Sequence, residues 1–143
     1  MGKKRIVKTG GDNESLKKAS VLSVVSKKKV EQGTLYVEST YNNTKLVLTD
    51  SNGNVLATSS SGSIGFKGAK KGTPFAAAKV GEIIGSKASS MGMKEAVVIV
   101  KGVGSGRESG IRGFISKGIN IMSIKDVTPV PHNGPKPKKP RRV

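Results

Sequence analysis

The chain has 143 residues, a formal net charge of +17 and no cysteine. This length fits one ordinary domain, and the missing thiols exclude a disulfide framework, a thiolate nucleophile and a cysteine-ligated zinc. No apolar run approaches the roughly 18 residues that a membrane helix needs, so no membrane contact is expected. Most of the excess positive charge lies in residues 1–32 and 131–143. This layout predicts wide electrostatic contact with a polyanion.

The two ends of the chain are predicted to be disordered basic arms around a folded domain of residues 33–130. Residues 1–32 contain several lysine clusters, and residues 131–143 combine lysines and arginines with four prolines. Neither segment can bury enough apolar surface to offset the entropy of ordering it. A stiff cationic strip suits nucleic acid, because each cation that neutralises a phosphate releases condensed counterions. The alternative is a tail that serves solubility alone.

Three strands are predicted at the start of the domain. Residues 34–41 alternate apolar and polar side chains and are rich in β-branched and aromatic types, as in a half-buried strand. Asn42 and Asn43 can adopt positive φ and suit a tight hairpin turn. Residues 44–50 then return as a second strand, and a third strand is predicted over about residues 54–59.

A helix is predicted to begin at Thr73-Pro74, a good N-cap followed by proline at the first helical position. Its apolar residues recur with helical spacing on one face: Ala76, Val80, Ile83, Ile84, Ala88 and Met91. Gly81 and Gly85 lower the intrinsic stability of this helix. We expect them to permit close packing against the sheet.

In the second half of the domain, the residue pattern predicts a strand, a helix and a last strand. Residues 96–100 form an unbroken apolar run, which favours a central strand covered on both faces. Ser105 and Glu108 have the spacing of a capping box that would open a second helix. The buried stripe of this helix would contain Ile111, Phe114 and Ile115. A last strand is predicted over residues 119–127.

The resulting order, β-β-β-α-β-α-β, predicts one α/β domain with a mixed five-stranded sheet and two main helices. Its two strand–helix–strand units imply parallel neighbouring strands. The same order occurs in the ribonuclease-H-like fold, which raises the alternative of a two-metal nuclease. Such a site needs converging carboxylates, and the domain offers only dispersed candidates: Glu38, Asp50, Glu82, Glu95, Glu108 and Asp126. We therefore predict no catalytic residue, no metal site and no cofactor.

Two glycine-rich loops each precede a predicted helix. Residues 102–106 read GVGSG, and residues 65–73 carry Lys67, Lys70 and Lys71 among glycines. Glycines before a helix N-terminus allow close approach of backbone N–H groups to a phosphate. Both loops follow the carboxyl ends of strands, so they should lie on the same edge of the sheet. The alternative is that they are simple turns.

The loop 102–106 does not fit the two common nucleotide motifs. Arg107 stands where a dinucleotide fingerprint needs its third glycine, and the G-K-[ST] ending of a Walker A motif is missing. Aromatic residues make up only 3% of the chain, so phosphate and shape readout is favoured over base stacking. His132 is the only histidine and has no histidine or cysteine partner for a metal.

Several segments in register carry a resemblance to a known family. They are Tyr41-Asn-Asn-Thr44, Gly65-Phe-Lys-Gly68, Lys71-Gly-Thr-Pro-Phe75, Gly106-Arg-Glu-Ser109, Asp126-Val-Thr-Pro129, Pro131-His-Asn-Gly134 and Arg141-Arg-Val143. Together these segments fall within residues 34–143. On them the chain resembles the universal small-subunit ribosomal protein eleven family, bacterial type.

The resemblance implies a structural, non-enzymatic constituent of the small subunit of a cytoplasmic ribosome, one that supports subunit assembly and translation. An organellar ribosome is the alternative location. It would bind 16S-type ribosomal RNA in the platform, near the exit-site messenger RNA path and beside neighbouring platform proteins. Carried over to this chain, the RNA-binding residues would be Asn42, Asn43, Lys67, Gly68, Lys70, Lys71, Arg107, Arg112, His132, Asn133 and Gly134, followed by the tail residues Lys136, Lys138, Lys139, Arg141 and Arg142. An alternative is a free RNA or DNA chaperone that acts off the ribosome.

Overall fold

The structure, a computed structural model, describes residues 29–142. It contains five strands: β1 (Gln32–Ser39), β2 (Thr44–Asp50), β3 (Val55–Ser60), β4 (Glu95–Gly102) and β5 (Asn120–Asp126). Two α-helices, α1 (Pro74–Ser90) and α2 (Gly106–Ile115), and a short 3-10 helix (Gly68–Gly72) complete it. The predicted α/β class, the mixed five-stranded sheet and the two main helices are confirmed.

The ordered body begins slightly before the predicted domain. Strand β1 starts at Gln32, and the Val30 amide already donates to the Met91 carbonyl at 3.2 Å. Val30 also packs against the edge of the core. The disorder predicted for residues 1–28 lies outside the described part of the chain.

The sheet order is β3-β2-β1-β4-β5. Strands β1, β2 and β3 are joined in antiparallel pairs, whereas β4 pairs in parallel with β1 and with β5. The crossover through α2 therefore joins neighbouring parallel strands, as predicted. The crossover through α1 does not, because β2 and β1 lie between β3 and β4. The likeness to the ribonuclease-H order stays a prediction.

One hydrophobic core lies between one face of the sheet and the two helices. Leu35 in β1 is opposite Leu48 in β2 and Val98 in β4, and all three side chains are fully buried. Val80 of α1 and Phe114 of α2 complete this core and are equally inaccessible. Alternate residues point to either side of a strand, so the apolar positions in register build a continuous buried layer.

Within residues 29–142, no helix covers the opposite face of the sheet. Tyr36, in register with Val47 and Ile99, is 41% exposed, and the two aliphatic residues are half-buried. The prediction that residues 96–100 are covered on both faces is therefore wrong. The strand is central because it pairs on both edges, but its burial alternates along the chain.

Gly81 and Gly85 serve helix–helix packing and not the predicted packing on the sheet. A Cβ atom added at Gly81 would come within 3.0 Å of the Gly110 carbonyl oxygen and the Phe114 nitrogen. A Cβ atom at Gly85 would lie 2.9 Å from the Phe114 carbonyl oxygen. The backbones of α1 and α2 thus approach more closely than side chains at these two positions would allow.

The two helix starts differ in how well their sequences predict them. At α1, the Thr73 hydroxyl accepts from the Ala76 amide at 3.3 Å and proline occupies the first helical position, as predicted. At α2, the predicted capping box is wrong. Ser105 makes no side-chain cap bond, because its hydroxyl donates to the Gly72 carbonyl at 2.9 Å, and Glu108 pairs with Arg112.

Candidate nucleic-acid interface

Four segments converge at one end of the sheet, which we call the loop end. Strands β1, β3, β4 and β5 all point in the same direction, so their carboxyl ends share this end of the sheet. They lead into the hairpin of residues 40–43, the lysine loop of residues 65–73, the short loop of residues 103–105 and the tail that begins at Val127. The two glycine-rich loops therefore share one edge, as predicted.

Direct contacts hold the four segments of the loop end together. Three hydrogen bonds join them: Gly104 N to Ser39 O (3.0 Å), Ser105 Oγ to Gly72 O (2.9 Å) and Gly102 N to Thr128 Oγ1 (3.2 Å). In addition, a Cβ atom at Gly72 would come within 3.0 Å of the Tyr41 carbonyl oxygen. The lysine loop is thus packed against the hairpin, and the loop end is a single continuous surface.

The hairpin presents the first two predicted RNA-binding residues. The Asn43 amide donates to the Thr40 hydroxyl at 3.1 Å, and the Thr40 amide donates to the Asn43 carbonyl at 2.8 Å. Asn42 is exposed at the tip, whereas Asn43 is half-buried. Within the described residues, Asn43 Oδ1 is buried without a hydrogen-bond partner. Asn42 is therefore the more accessible of the two.

The lysine loop carries positive charge that forms no ion pair within the part of the chain that the structure describes. Lys67, Gly68 and Lys70 are exposed and Lys71 is half-buried. The three ion pairs found among residues 29–142 involve other cations, namely Lys79, Arg107 and Arg112. Because Gly68 has a φ of 61°, the chain turns sharply between Lys67 and Lys70. The loop thereby exposes the side chains of Lys67 and Lys70 to solvent, without an ion-pair partner in residues 29–142.

The two predicted arginines are not equivalent in the structure. Nη1 of Arg107 donates to the Gly102 carbonyl at 2.9 Å and Nη2 donates to Asp126, and only 33% of the side chain is exposed. Arg112 is 76% exposed and pairs with Glu108 one turn earlier. It stands in the last turn of α2, away from the loop end. Arg107 therefore stabilises the loop end by linking the end of β4 to the end of β5.

Asp126 is the centre of a hydrogen-bonded cluster where β5 ends. Its Oδ1 accepts from the Thr128 amide at 2.9 Å and from the Thr128 hydroxyl at 2.6 Å, while Oδ2 accepts from Arg107. These Thr128 hydrogen bonds, followed by those of Arg107, lower the pKa of Asp126 from 3.8 to about 2. The cluster holds the start of the tail against β4. The sequence alone did not identify this cluster, although an aspartate two residues before a threonine is typical of such side-chain turns.

Beyond Thr128 the chain is exposed at every described residue, 129–142. His132 and Gly134 flank Asn133, which has a φ of 57°. Positive φ is uncommon for residues other than glycine and is best tolerated by asparagine, so residues 132–134 form a local turn. The basic residues follow it without burial: Lys136, Lys138, Lys139, Arg141 and Arg142.

The structure adds three cations that sequence reasoning did not single out. Lys45, Lys101 and Lys125 are exposed and stand on strands within two residues of the loop end. Their register places Lys45 and Lys101 on either side of Glu38. The strand order shows that these three side chains lie at the same end of the sheet.

Carboxylates do not converge at this surface. Among residues 29–142, no three histidine, aspartate or glutamate side chains are grouped so that they could hold a metal ion. Both oxygens of Asp126 accept hydrogen bonds from Arg107 and Thr128, and Glu31 and Glu95 lie at the opposite end of the sheet. The described residues therefore do not assemble the set of carboxylates that a two-metal nuclease needs. Neither α-helix of the described segment has the length and apolar character needed to cross a membrane.

Comparison with known protein families agrees with the motifs at the loop end. The model of a family described as Ribosomal protein S11 matches residues 33–142, which is most of the chain. This match spans the hairpin, both glycine-rich loops and the basic tail, and it confirms the family that the motifs predicted. The chain therefore belongs to the ribosomal protein S11 family, a structural rather than catalytic constituent of the small-subunit ribonucleoprotein that serves translation.

Proposed function

We propose that this protein binds 16S-type ribosomal RNA in the platform of the small subunit, near the exit-site messenger RNA path. In this proposal it acts in a cytoplasmic ribosome, beside neighbouring platform proteins, and supports subunit assembly. The observation that supports it is the loop end, where exposed lysines that form no ion pair within residues 29–142 share one surface with the start of a basic tail. Folded RNA is the polyanion that family membership favours.

The residues of the loop end fall into two roles in this proposal. Lys67, Lys70 and the tail cations neutralise phosphates, while Gly68 lets the RNA backbone approach closely. Asn42 offers an amide to a phosphate, a ribose or a base edge. Arg107 positions the start of the tail through Asp126, and the exposed third of its side chain contacts RNA.

The other residues predicted to bind RNA differ in how accessible their side chains are, and this accessibility determines their proposed contacts. Residues 132–134 form a turn that is open to RNA, and Asn43 and Lys71 are half-buried neighbours of the loop-end surface. Arg112 contacts RNA only where the RNA extends along α2, because it lies in the last turn of that helix. Phosphate contacts fix the register of a protein on RNA, whereas shape supplies the preference for a folded target.

The test compares two triple variants that remove the same charge. One replaces Lys67, Lys70 and Lys71 by alanine at the loop end. The other replaces Lys87, Lys94 and Lys117, which lie at or near the opposite end of the sheet. Binding of the full chain to a 16S-type ribosomal RNA transcript is measured from low to high salt.

We expect the loop-end variant to bind more weakly and its salt slope to fall by about 0.7–0.9 for each lost phosphate contact. The opposite-end variant should retain both affinity and slope. Equal losses in the two variants would show that binding depends on net charge and not on this surface. Sedimentation with small subunits in high salt separates a ribosomal component, which remains bound, from a free chaperone, whose charge-only binding is lost.

A further inference from the structure

Two of the three phenylalanines lie together on the surface beside the lysine loop. The ring centroids of Phe66 and Phe75 are 6.0 Å apart and the ring planes are nearly perpendicular, at 81°. Phe75 is 64% exposed and Phe66 is half-buried, whereas the third phenylalanine, Phe114, is fully inside the core. An edge-to-face pair of this geometry is favourable, but the exposure of Phe75 shows that core packing is not its role.

The aromatic pair joins the two ends of the loop that carries Lys67, Lys70 and Lys71, which form no ion pair within the described segment. Phe66 precedes Lys67 and its amide donates to the Ser61 carbonyl at 3.2 Å, which fixes one end of the loop. Phe75 stands in the first turn of α1, directly after the Thr73 cap and Pro74, which fixes the other end. The contact between the rings therefore joins the two ends of the segment that contains Lys67, Lys70 and Lys71.

A further cation stands over the exposed ring. Lys79, one turn along α1, places its Nζ 5.7 Å from the Phe75 centroid and 3.1 Å from Glu82 Oε2. Glu82 is the one carboxylate that contacts this cationic group within the described residues. A ligand for such a site needs a flat apolar face and nearby negative charge. An unpaired nucleotide has both, because its base can stack on an aromatic ring while its phosphates meet cations.

On this basis we propose that Phe75 is a stacking site for an unpaired base of the bound RNA. Phe66 holds the ring in place, and Lys67, Lys70 and Lys71 bind the phosphates on either side of the stacked nucleotide. This inference rests on the proposed function and deepens it, since it names an unpaired base as the part of the RNA that the loop end recognises. Aromatic residues are scarce in the chain, but the fold places two of them at the ends of the loop that carries Lys67, Lys70 and Lys71.

The test distinguishes the contribution of base stacking from that of phosphate neutralisation, because only the second changes the slope of RNA affinity against salt concentration. The full chain and the variants Phe75→Leu, Phe75→Tyr and Lys70→Ala/Lys71→Ala are titrated with a 16S-type ribosomal RNA transcript at several salt concentrations. Phe75→Leu keeps the apolar side chain and removes the ring, and Phe75→Tyr keeps the ring. Because Phe75 is exposed, all variants should show the thermal unfolding of the parent protein.

Phe75→Leu should weaken binding about 5- to 150-fold at every salt concentration without changing the slope. Phe75→Tyr should bind like the parent, and the double lysine variant should show a lower slope. The fluorescence of 2-aminopurine in the loop of an RNA hairpin should be quenched when the parent protein binds and should not be quenched when Phe75→Leu binds. A fully paired RNA duplex should bind both equally.

Three outcomes would overturn the stacking site while leaving RNA binding intact. They are parent-like binding by Phe75→Leu, an equal loss in Phe75→Tyr, and an equal loss by Phe75→Leu on the fully paired duplex. Parent-like binding to naked RNA, combined with weak incorporation of Phe75→Leu into subunits, would assign the ring to a protein partner. If the parent protein itself shows no preference for the ribosomal transcript over a neutral polymer, the proposed function fails as well.

Discussion

Arg107 and Asp126 are paired at the loop end, where α2 begins and β5 finishes. The guanidinium donates to Oδ2 of Asp126 and, through Nη1, to the Gly102 carbonyl at 2.9 Å. Thr128 completes the cluster by donating twice to Oδ1. The pairing links β4, β5, α2 and the start of the tail, and it uses an arginine that the sequence had assigned to RNA.

The first prediction concerns the pH dependence of stability. Because the folded pKa of Asp126, about 2, lies below the ordinary value of 3.8, the carboxylate stabilises the folded protein above about pH 4. This contribution is lost as the pH falls from about 4 towards 2. Asp126→Asn should therefore be less stable than the parent at pH 6, and the difference should shrink as the pH falls through that range.

Urea unfolding at several pH values between 2 and 6 measures this difference. Subtracting the variant from the parent removes the contribution of Asp50, whose pKa is also lowered, chiefly by the Asn54 side chain. A difference between parent and Asp126→Asn that stays constant over the whole range would contradict a role for the ionised carboxylate.

The second prediction concerns the basic tail. Removing residues 136–143 takes away five cations that have no burial in the folded body. The salt slope of RNA binding should fall by at most about 3.5–4.5, the value reached if each cation contacts a phosphate. Thermal unfolding of the truncated protein should match that of the parent. A slope unaffected by the truncation would show that the tail does not contact phosphates.

The third prediction compares the two faces of β4. Val98 is fully buried beneath the helices, whereas Ile99 is half-buried on the uncovered face. Val98→Asp places an unpaired charge in the core and should cost more than about 4 kcal/mol, a large part of the stability of a domain. Ile99→Asp leaves the charge near water and should be tolerated.

Circular dichroism during thermal unfolding distinguishes these two aspartate variants. Similar melting temperatures for Val98→Asp and Ile99→Asp would contradict the placement of both helices on one face of the sheet. The comparison is matched because the same charge enters neighbouring positions of the same strand.

The fourth prediction concerns the close approach of α1 and α2. Alanine is a better helix former than glycine by about 1 kcal/mol, but a Cβ atom at Gly81 would overlap the Gly110 carbonyl. Gly81→Ala should therefore lower the free energy of unfolding, since overpacking costs about 1–3 kcal/mol. Gly110→Ala is the matched control, because its Cβ would lie 3.4 Å from the nearest atom.

Chemical denaturation of both glycine variants measures the effect. Gly110→Ala should be equal to the parent in stability or slightly above it. A stabilising effect of Gly81→Ala would mean that the helices move apart without cost.

The elements themselves could be predicted because their signals are local. Alternation in residues 34–50, the Thr73-Pro74 cap and the apolar run at residues 96–100 each identify an element from neighbouring residues. The capping box at Ser105 failed because its hydroxyl found a better acceptor, the Gly72 carbonyl, in a segment distant along the chain. A local motif predicts correctly only when no tertiary partner competes for the same atoms.

The amino-acid sequence alone determines four features, because each depends only on residue type and spacing. They are the charge, the absence of thiols, the order of the elements and the family motifs. The tertiary structure alone shows that the helices cover one face, that Arg107 is held by Asp126, and that Phe66 meets Phe75. These relationships join residues 9 to 19 positions apart in the chain through the packing of separate elements. No local propensity encodes such contacts, since they arise only when the burial of apolar surface fixes the elements against one another.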